Sequence, residues 1–559
     1  MQRIHMPRNR SIHILTATAV TAWLTAPPVL AQVSEARLKE LVQAAAAQQA
    51  QGPFTFSAQV PTGAGPTVPI TIEEAVRFAL ERNLDIAVQR MNPEIRDIAV
   101  ANALAIYHPT LTSSLSRSST TSTPTNQLTL ASGGANTVQS SLGYNAALTQ
   151  NLPWWGSQLS ANLTNSRSET NSNNSVFNPI YSSIWNAQVT VPLLRNRTTD
   201  VLRRTIYVSR VNRDISDIQL KSSLTNLVSN VRGAYWDFVY ATQAVDAARQ
   251  SLALATKLVE DNTTKVEVGT LAPIDIVSAR AEQATRQQQL VLAESNRRTA
   301  EIGLKRLIVG GTDDPNWLAT LDPIDRPEFR PEPVDIQAAV ARALANRTDL
   351  AIVKKNLDMN DSALKLYKNS TLPQVDFSLN YGLSGVGGTQ LIRSNTGVLG
   401  SSVTQTIPGG IGDALSTLLR GQNPRWTASV NLTYPLGVNP QETALATANV
   451  QMVQIQAQLK NIELQVANDI TTAAINLTNA AESVQAAQVS RELSQQRLEA
   501  EQSKFEVGMS TNYQVVQYQR DLNDARNSEL RAILNYRKAQ VEWDRLQETT
   551  LSSASIQVL

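Results

Sequence analysis

The sequence predicts a mainly α-helical chain with a smaller set of membrane β-strands, built from a duplicated helix–strand-pair–long-helix-hairpin unit. Three features carry this expectation. First, charge is distributed in blocks: residues 110–194 hold only Arg117, Arg167 and Glu169, and residues 374–436 only Asp376, Arg393, Asp413, Arg420 and Arg425, while the flanking segments are charge-rich. Second, the chain repeats itself. At an offset of 264, Ile72, Ala75, Val76, Ala79, Leu80, Asp85 and Ala87 meet identical residues Ile336, Ala339, Val340, Ala343, Leu344, Asp349 and Ala351. Third, Leu224, Val231, Phe238, Val245, Leu252 and Val259 follow one another every seven residues, with Val228 and Tyr235 on the intervening step, which is a supercoiling heptad seam.

Residues 1–31 read as a signal peptide. Arg3, Arg8 and Arg10 precede the uncharged run Ser11–Leu24, and Val29-Leu30-Ala31 has the small-residue character of a cleavage site. An N-terminal extension, 32–68, follows. The first repeat covers 69–310. Thr71 is a suitable N-cap for a helix over 71–106, with Glu73 and Glu74 in its first turn and Pro93 expected to break it. Alternation at Leu142, Tyr144, Ala146 and Leu148, then at Leu159, Ala161 and Leu163, predicts strands within about 110–194, with polar loops at 118–138 and 165–180. Trp154, Trp155, Tyr181, Trp185, Trp426 and Tyr434 are expected near strand ends, where lipid headgroups favour amphipathic rings. A long helix over about 197–262 then turns and returns over 272–309. Some 60 helical residues span roughly 90 Å, longer than any compact domain requires. Five prolines mark an extended linker at 311–333. The second repeat, 334–549, has strands within about 374–436 and helices over 441–503 and 512–548. A short tail, 550–559, completes the chain.

Composition narrows the function. The 559 residues carry a net charge of +2, three His and no Cys; beyond Ala31 the balance is 46 basic against 47 acidic side chains, and His108 is the single remaining His. Disulfides, thiolate nucleophiles, Cys-ligated metals, multi-His metal sites and His-based triads are excluded. Near-neutral charge gives no basis for nucleic-acid binding. No cofactor motif stands out, Ser362–Lys365 lies within a helical repeat without companions, and no phosphate-binding Gly loop is present. His108, beside Pro109, reads as a boundary residue.

After Ala31 no window of about 18 apolar residues offers a transmembrane helix, so a membrane-spanning chain must use strands. About four strands per chain cannot close a barrel, and open edges are not tolerated in lipid, so several copies must share one. A barrel continuing into long helices is a hollow conduit and not an enzyme. An exported trimeric coiled-coil adhesin or surface fibre is the alternative, although such proteins place their strands at one chain end.

The duplicated unit and two tip motifs, Val268-Gly269-Thr270-Leu271 and Val507-Gly508-Met509-Ser510, make the chain resemble TolC-type outer-membrane efflux proteins over almost its whole mature length. The family tip reads Val-Gly, an apolar residue, then Ser or Thr; the second copy fits and the first departs in its last two places. The resemblance implies a homotrimer with a 12-stranded barrel in outer-membrane lipid, continuing into a periplasmic α-helical coiled-coil barrel. It also implies docking of the tips onto a periplasmic adaptor bound to an inner-membrane pump, for efflux or type I secretion. Six residues past the tip Gly the family often carries an inward-facing Asp. Here that place holds Asp275 in the first copy and Gln514 in the second, with Gln517 three further on. Asp275 either narrows the pore as a ring of three carboxylates or simply complements the N-terminus of its helix.

Overall fold

A computed structural model describes residues 39–40, 43, 66–123, 136–172, 175–269, 272–326, 329–331, 333–393, 403–437 and 439–553. The expected signal peptide, most of the 32–68 extension, Thr270 and Leu271 of the first tip, and the end of the tail lie outside the described residues.

In chain order, β1 (Thr67–Ile70) precedes helices α1 (Ile72–Arg82) and α2 (Leu84–Leu104). Strands β2 (Thr110–Ser122), β3 (Thr137–Asn151), β4 (Gln158–Thr170) and β5 (Phe177–Pro192) follow, then the helices α3 (Val201–Glu267) and α4 (Pro273–Ile308). After β6 (Thr320–Pro323) the order recurs: α5 (Ile336–Asn346), α6 (Thr348–Ser370), β7 (Gln374–Arg393), β8 (Val403–Ile407), α7 (Ile411–Leu419), β9 (Pro424–Thr433), α8 (Pro440–Glu506) and α9 (Asn512–Leu546). No described helix is long and apolar enough to cross a membrane.

Local chemistry accounts for the helix starts. Thr71 and Glu74 form a reciprocal capping box, Glu74 N–H donating to Thr71 Oγ1 (3.2 Å) and Thr71 N–H to Glu74 Oε2 (3.1 Å). In the second copy Asp335 caps α5 through Ala338 N–H (3.0 Å). Pro93 does not break its helix: α2 runs through it. The break falls ten residues earlier at Asn83, whose backbone is extended and whose side chain donates to Leu307 O (3.0 Å) and accepts from Ile86 N–H (3.1 Å). A tertiary anchor, not the proline, decides where the chain turns.

The chain divides into two compact units, each drawing on both copies. The sheet unit takes in Asp97–Arg210 and Lys368–Asn439; the helical unit takes in Pro53–Arg96, Val211–Tyr367 and Pro440–Leu559.

In the sheet unit the antiparallel order is β2-β3-β4-β5-β7-β8, with β9 also paired to β7. The expected strand number needs adjusting: the sheet has seven strands among the described residues instead of about four, because the first copy folds as two hairpins and the second supplies β7 with two short strands, β8 and β9, paired along it. The residues explain the shortfall. β2 reads TLTSSLSRSSTTS, with two Leu against a Ser/Thr background, so its alternation is almost invisible. The loop expected at 118–138 is correspondingly shorter, since β2 extends to Ser122 and β3 begins at Thr137.

In the helical unit the heptad seam is buried from Leu224 to Val245 and then steps to Ala255 and Leu258, leaving Leu252 and Val259 partly exposed. A helix of 3.6 residues per turn drifts off a strict seven-residue repeat, and the contact line moves with it. The largest core joins Val228, Val231, Tyr235 and Phe238 of α3 to Ile70, Ala75, Ala79, Leu304, Ile308 and Leu321. Tyr235 is wholly buried. Its hydroxyl hydrogen-bonds Asp325 Oδ2 (2.6 Å) and Ile70 O (3.0 Å), and burial followed by the Asp325 contact pushes its ionisation far above the ordinary phenol range. The segment expected as a plain extended linker is thus built into the unit: β6 pairs in parallel with β1, Thr67 opposite Thr320.

Candidate functional site

Successive residues of a strand point to opposite faces, so the register sorts the sheet's side chains into two surfaces. One row across the sheet reads Leu111, Leu148, Ala161, Ala187, Tyr381, Trp426. The same face carries Leu163, Trp185 and Leu383 in the next row, and Val191, Phe377 and Val430 nearer the helices. The other face is mainly polar: it carries Ser114, Asn145 and Thr164, with Ile184 in the same row, then Asn162, Asn186 and Arg425, then Ser378 and Ser429, and Val386 farther out. Polar groups there bond each other, as in Asn145 Nδ2 to Ser114 Oγ (3.3 Å). From Val375 to Leu383 the apolar face runs for about 27 Å along β7, a nine-residue stretch of the length tilted strands of membrane barrels use, roughly 9–11 residues. Trp185 and Tyr381 meet edge to face on it at 6.3 Å. Trp154 and Trp155 occupy the β3–β4 turn, whereas Trp185 lies well inside its strand.

The helical hairpins end in the two expected tips. Gly269 and Gly508 have φ of 76° and 78°, the left-handed conformation that lets a helix stop and the chain reverse. Among the described residues, chain neighbours aside, a Cβ on either would meet nothing within 4 Å, so no packing seen there demands the glycines. Around them Val268, Val507 and Met509 are exposed by 68, 71 and 78%. Ser510 instead turns back, its hydroxyl donating to Glu501 Oε1 (2.6 Å). The two tips are brought together: Asn512 Nδ2 donates to Asp275 O (3.4 Å), and Lys265 Nζ stands 3.8 Å from the ring centre of Phe505.

Of the gate candidates, Asp275 lies half-buried in the first turn of α4, the position that complements a helix N-terminus. Gln514 is exposed in the first turn of α9, and Gln517 donates along its own helix to Asp521 Oδ1 (2.9 Å).

Sequence reasoning missed a charged cluster a few turns from the tips. Glu282 on α4 is 2% exposed; Arg286 Nη2 approaches it at 2.6 Å, and Arg520 from α9 donates through Nε (3.0 Å) and Nη2 (2.5 Å). Burial alone would raise the Glu282 carboxyl, but hydrogen bonds and charge from Arg520 and Arg286 hold it below its usual value. The spacing of Glu282 and Arg286, four apart on a helix, was the available signal; the cross-hairpin partner had none. Beneath the cluster Leu258, Ala279, Leu498, Val515 and Leu522 pack as one apolar core. His108 caps the turn before β2 through its backbone, N–H to Ala105 O (2.9 Å).

A long antiparallel sheet with one apolar and one hydroxyl- and amide-lined face, carried by a chain of paired long helices, defines an outer-membrane channel. The sequence profile of the outer membrane efflux protein family matches residues 158–310 and 339–546, well over half of the chain, and the protein belongs to that family. It is an efflux channel of the outer membrane, with a periplasmic helical domain. Solved structures share the fold at low identity. The Campylobacter jejuni CmeC outer membrane channel is 15% identical with a TM-score of 0.59, the match covering 85% of each chain. The Vibrio cholerae outer membrane protein VceC is 12% identical with a TM-score of 0.57, covering 85% of this chain and 96% of its own. The open-state Neisseria gonorrhoeae MtrE channel is 15% identical with a TM-score of 0.55, covering 85% and 88%. No curated protein sequence matches the chain.

Proposed function

We propose that three copies of this chain close their sheets into one shared barrel, with the apolar faces in lipid and the Ser/Thr/Asn faces around a water-filled lumen. The chain then serves as the passive exit duct of a tripartite efflux or secretion system. Substrates pass from an inner-membrane pump through a periplasmic adaptor that docks on the tips, and the channel supplies no energy and performs no chemistry. The two repeats, 69–310 and 334–549, are the duplicated units of each third of the tube. The observation that carries this reading is the sheet with its two distinct faces. Among the described residues β2 pairs only with β3 and β9 only with β7, so each keeps an open edge, and open edges are not tolerated in lipid. Both edge strands also present exposed apolar side chains, Leu111 and Leu115 on one and Trp426, Val430 and Leu432 on the other. Each barrel would take its strands from three sheets of this size, more than four per chain supply.

Neighbouring residues of β9 supply the test. Val430→Arg places a charge on the lipid face, at a cost of about 2–4 kcal/mol near the bilayer midplane; Ser429→Arg places it in the lumen. Val430→Arg is expected to abolish the heat-sensitive trimer on unheated denaturing gels, while Ser429→Arg leaves it intact. Equal behaviour of the two variants, or recovery of the wild type as a soluble monomer, overturns the reading.

Asp275, once per chain, would place three carboxylates around the periplasmic entrance and favour cations. In planar bilayers Asp275→Asn is expected to lower cation preference at nearly unchanged folding. Unchanged reversal potentials in a salt gradient leave Asp275 with its helix-terminal role alone.

A further inference from the structure

The second copy does not close its sheet with an uninterrupted strand. β8 pairs with β7 at Gln390–Arg393, the end remote from the helices in sequence, and β9 pairs at Gln374–Leu383. Between them the chain leaves the ladder as α7. This helix lies on the apolar face: a Cβ added at Gly385 would come within 1.9 Å of Ala414 O, and one at Gly387 within 2.4 Å of Gly410 O. Both positions point to the same side as Tyr381 and Leu383.

What α7 covers is a gap in that face. In the register row of Gly385 the neighbouring strands present Ser183 and Asn165, both buried, with Ser183 Oγ donating to Asn165 Oδ1 (2.6 Å). The row offers lipid no apolar side chain from these three strands. α7 buries Ala414 and Leu418 beneath itself and turns Leu419, 81% exposed, outward. Its own polar groups are closed locally: Ser416 and Thr417 hydroxyls donate to Asp413 O (3.0 and 2.8 Å), and Gly410 N–H donates to Asp413 Oδ2 (2.8 Å). Hydroxyls satisfied within the helix can face a non-aqueous environment without loss. The next row outward holds Tyr181 beneath the Arg167 guanidinium, 5.9 Å from the ring centre, with Arg117 two strands away. Such residue types mark the headgroup boundary of a bilayer.

The geometry points to α7 as an anchor seated at the outer end of the apolar face, running down β7 from Gly387 to Gly385 and restoring the lipid-facing surface where β4, β5 and β7 present only Asn165, Ser183 and Gly385. Its occupant is membrane lipid, because the helix continues the apolar face that, on the function proposed above, meets the bilayer. Leu419 reaches the acyl region, and Asp413, beside Gly387, stays at headgroup level.

The chain contains no Cys, so single spin labels report one site each. Full-length Leu419→Cys, Val430→Cys and Ser429→Cys proteins are labelled, reconstituted as assembled channels in phosphatidylcholine vesicles, and probed with oxygen and a water-soluble nickel chelate. The expected result is a label at Leu419 relaxed more by oxygen than by nickel, like that at Val430, and opposite to that at Ser429. A nickel-accessible Leu419 beside a lipid-buried Val430 overturns the anchor while sparing the face assignment. A nickel-accessible Val430 overturns both. Adding Gly385→Leu, whose side chain takes the space of α7, should abolish the oxygen preference at Leu419 and keep it at Val430. An unchanged Leu419 in assembled Gly385→Leu channels also overturns the seat, and if that variant does not assemble, the Leu419 label decides.

Discussion

Gly269→Asn combined with Gly508→Asn is expected to reduce efflux to the level of a strain lacking the channel, while trimer accumulates in the outer membrane at normal amounts. Asn is chosen because it tolerates the left-handed conformation both tips adopt, at φ of 76° and 78°. Among the described residues, chain neighbours aside, none lies within 4 Å of the added Cβ at either tip, so the substitution disturbs little there. What it changes is the approach of a partner to a surface whose other residues, Val268, Val507 and Met509, are exposed and apolar. Susceptibility to a pumped compound, alongside quantified trimer, is the measurement. Full resistance in the double variant removes the tips from adaptor docking. Loss of trimer as well as resistance assigns the glycines to folding alone.

Arg520→Ser is expected to give a channel that opens more readily, read as higher single-channel conductance or longer open times in planar bilayers. Among the described residues Arg520 is the one link of its cluster that crosses between hairpins; Glu282 keeps Arg286 when it is gone. Because Arg520 is half exposed, the contact is worth about 1–2 kcal/mol and not the larger cost of breaking a fully buried pair. A closed state held by it would lose roughly a factor of ten in occupancy, since 1.4 kcal/mol is tenfold. The same contact sets a pH dependence. Glu282 is held below its ordinary value of 4.5, so its contribution is fully present above that value and is lost as pH falls through the depressed one. Wild-type opening should therefore stay flat from neutral to mildly acidic pH and rise only in strong acid, and Arg520→Ser should reduce that acid response. Conductance identical to wild type at neutral pH would show that the two hairpins separate elsewhere.

Much of this protein was legible in its residues because the relevant signals are local. Thr71 with Glu74, Gly269 and Gly508, and the buried seam from Leu224 to Val245 each express a preference that a few neighbouring residues settle. Where the local signal was faint or contradicted, the expectation slipped. β2 carries too few apolar side chains to announce itself, and its place is given by thirteen register partners on β3. Pro93 argued for a break, yet α2 runs through it, with Ile86, Pro93 and Val100 buried along one line of the helix, and the chain turned where Asn83 finds Leu307.

The sequence by itself determined the duplication, the charge-poor and charge-rich blocks, the long helices and the glycine reversals, since each depends on spacing along one segment. Only the tertiary structure decided which strand face is continuous with which, because one-residue changes of register exchange the two faces of a strand. Only it joined Glu282 to Arg520, 238 positions apart, and set α7 on Gly385 and Gly387. Those contacts depend on distances between segments, which residue order along a single strand or helix does not contain.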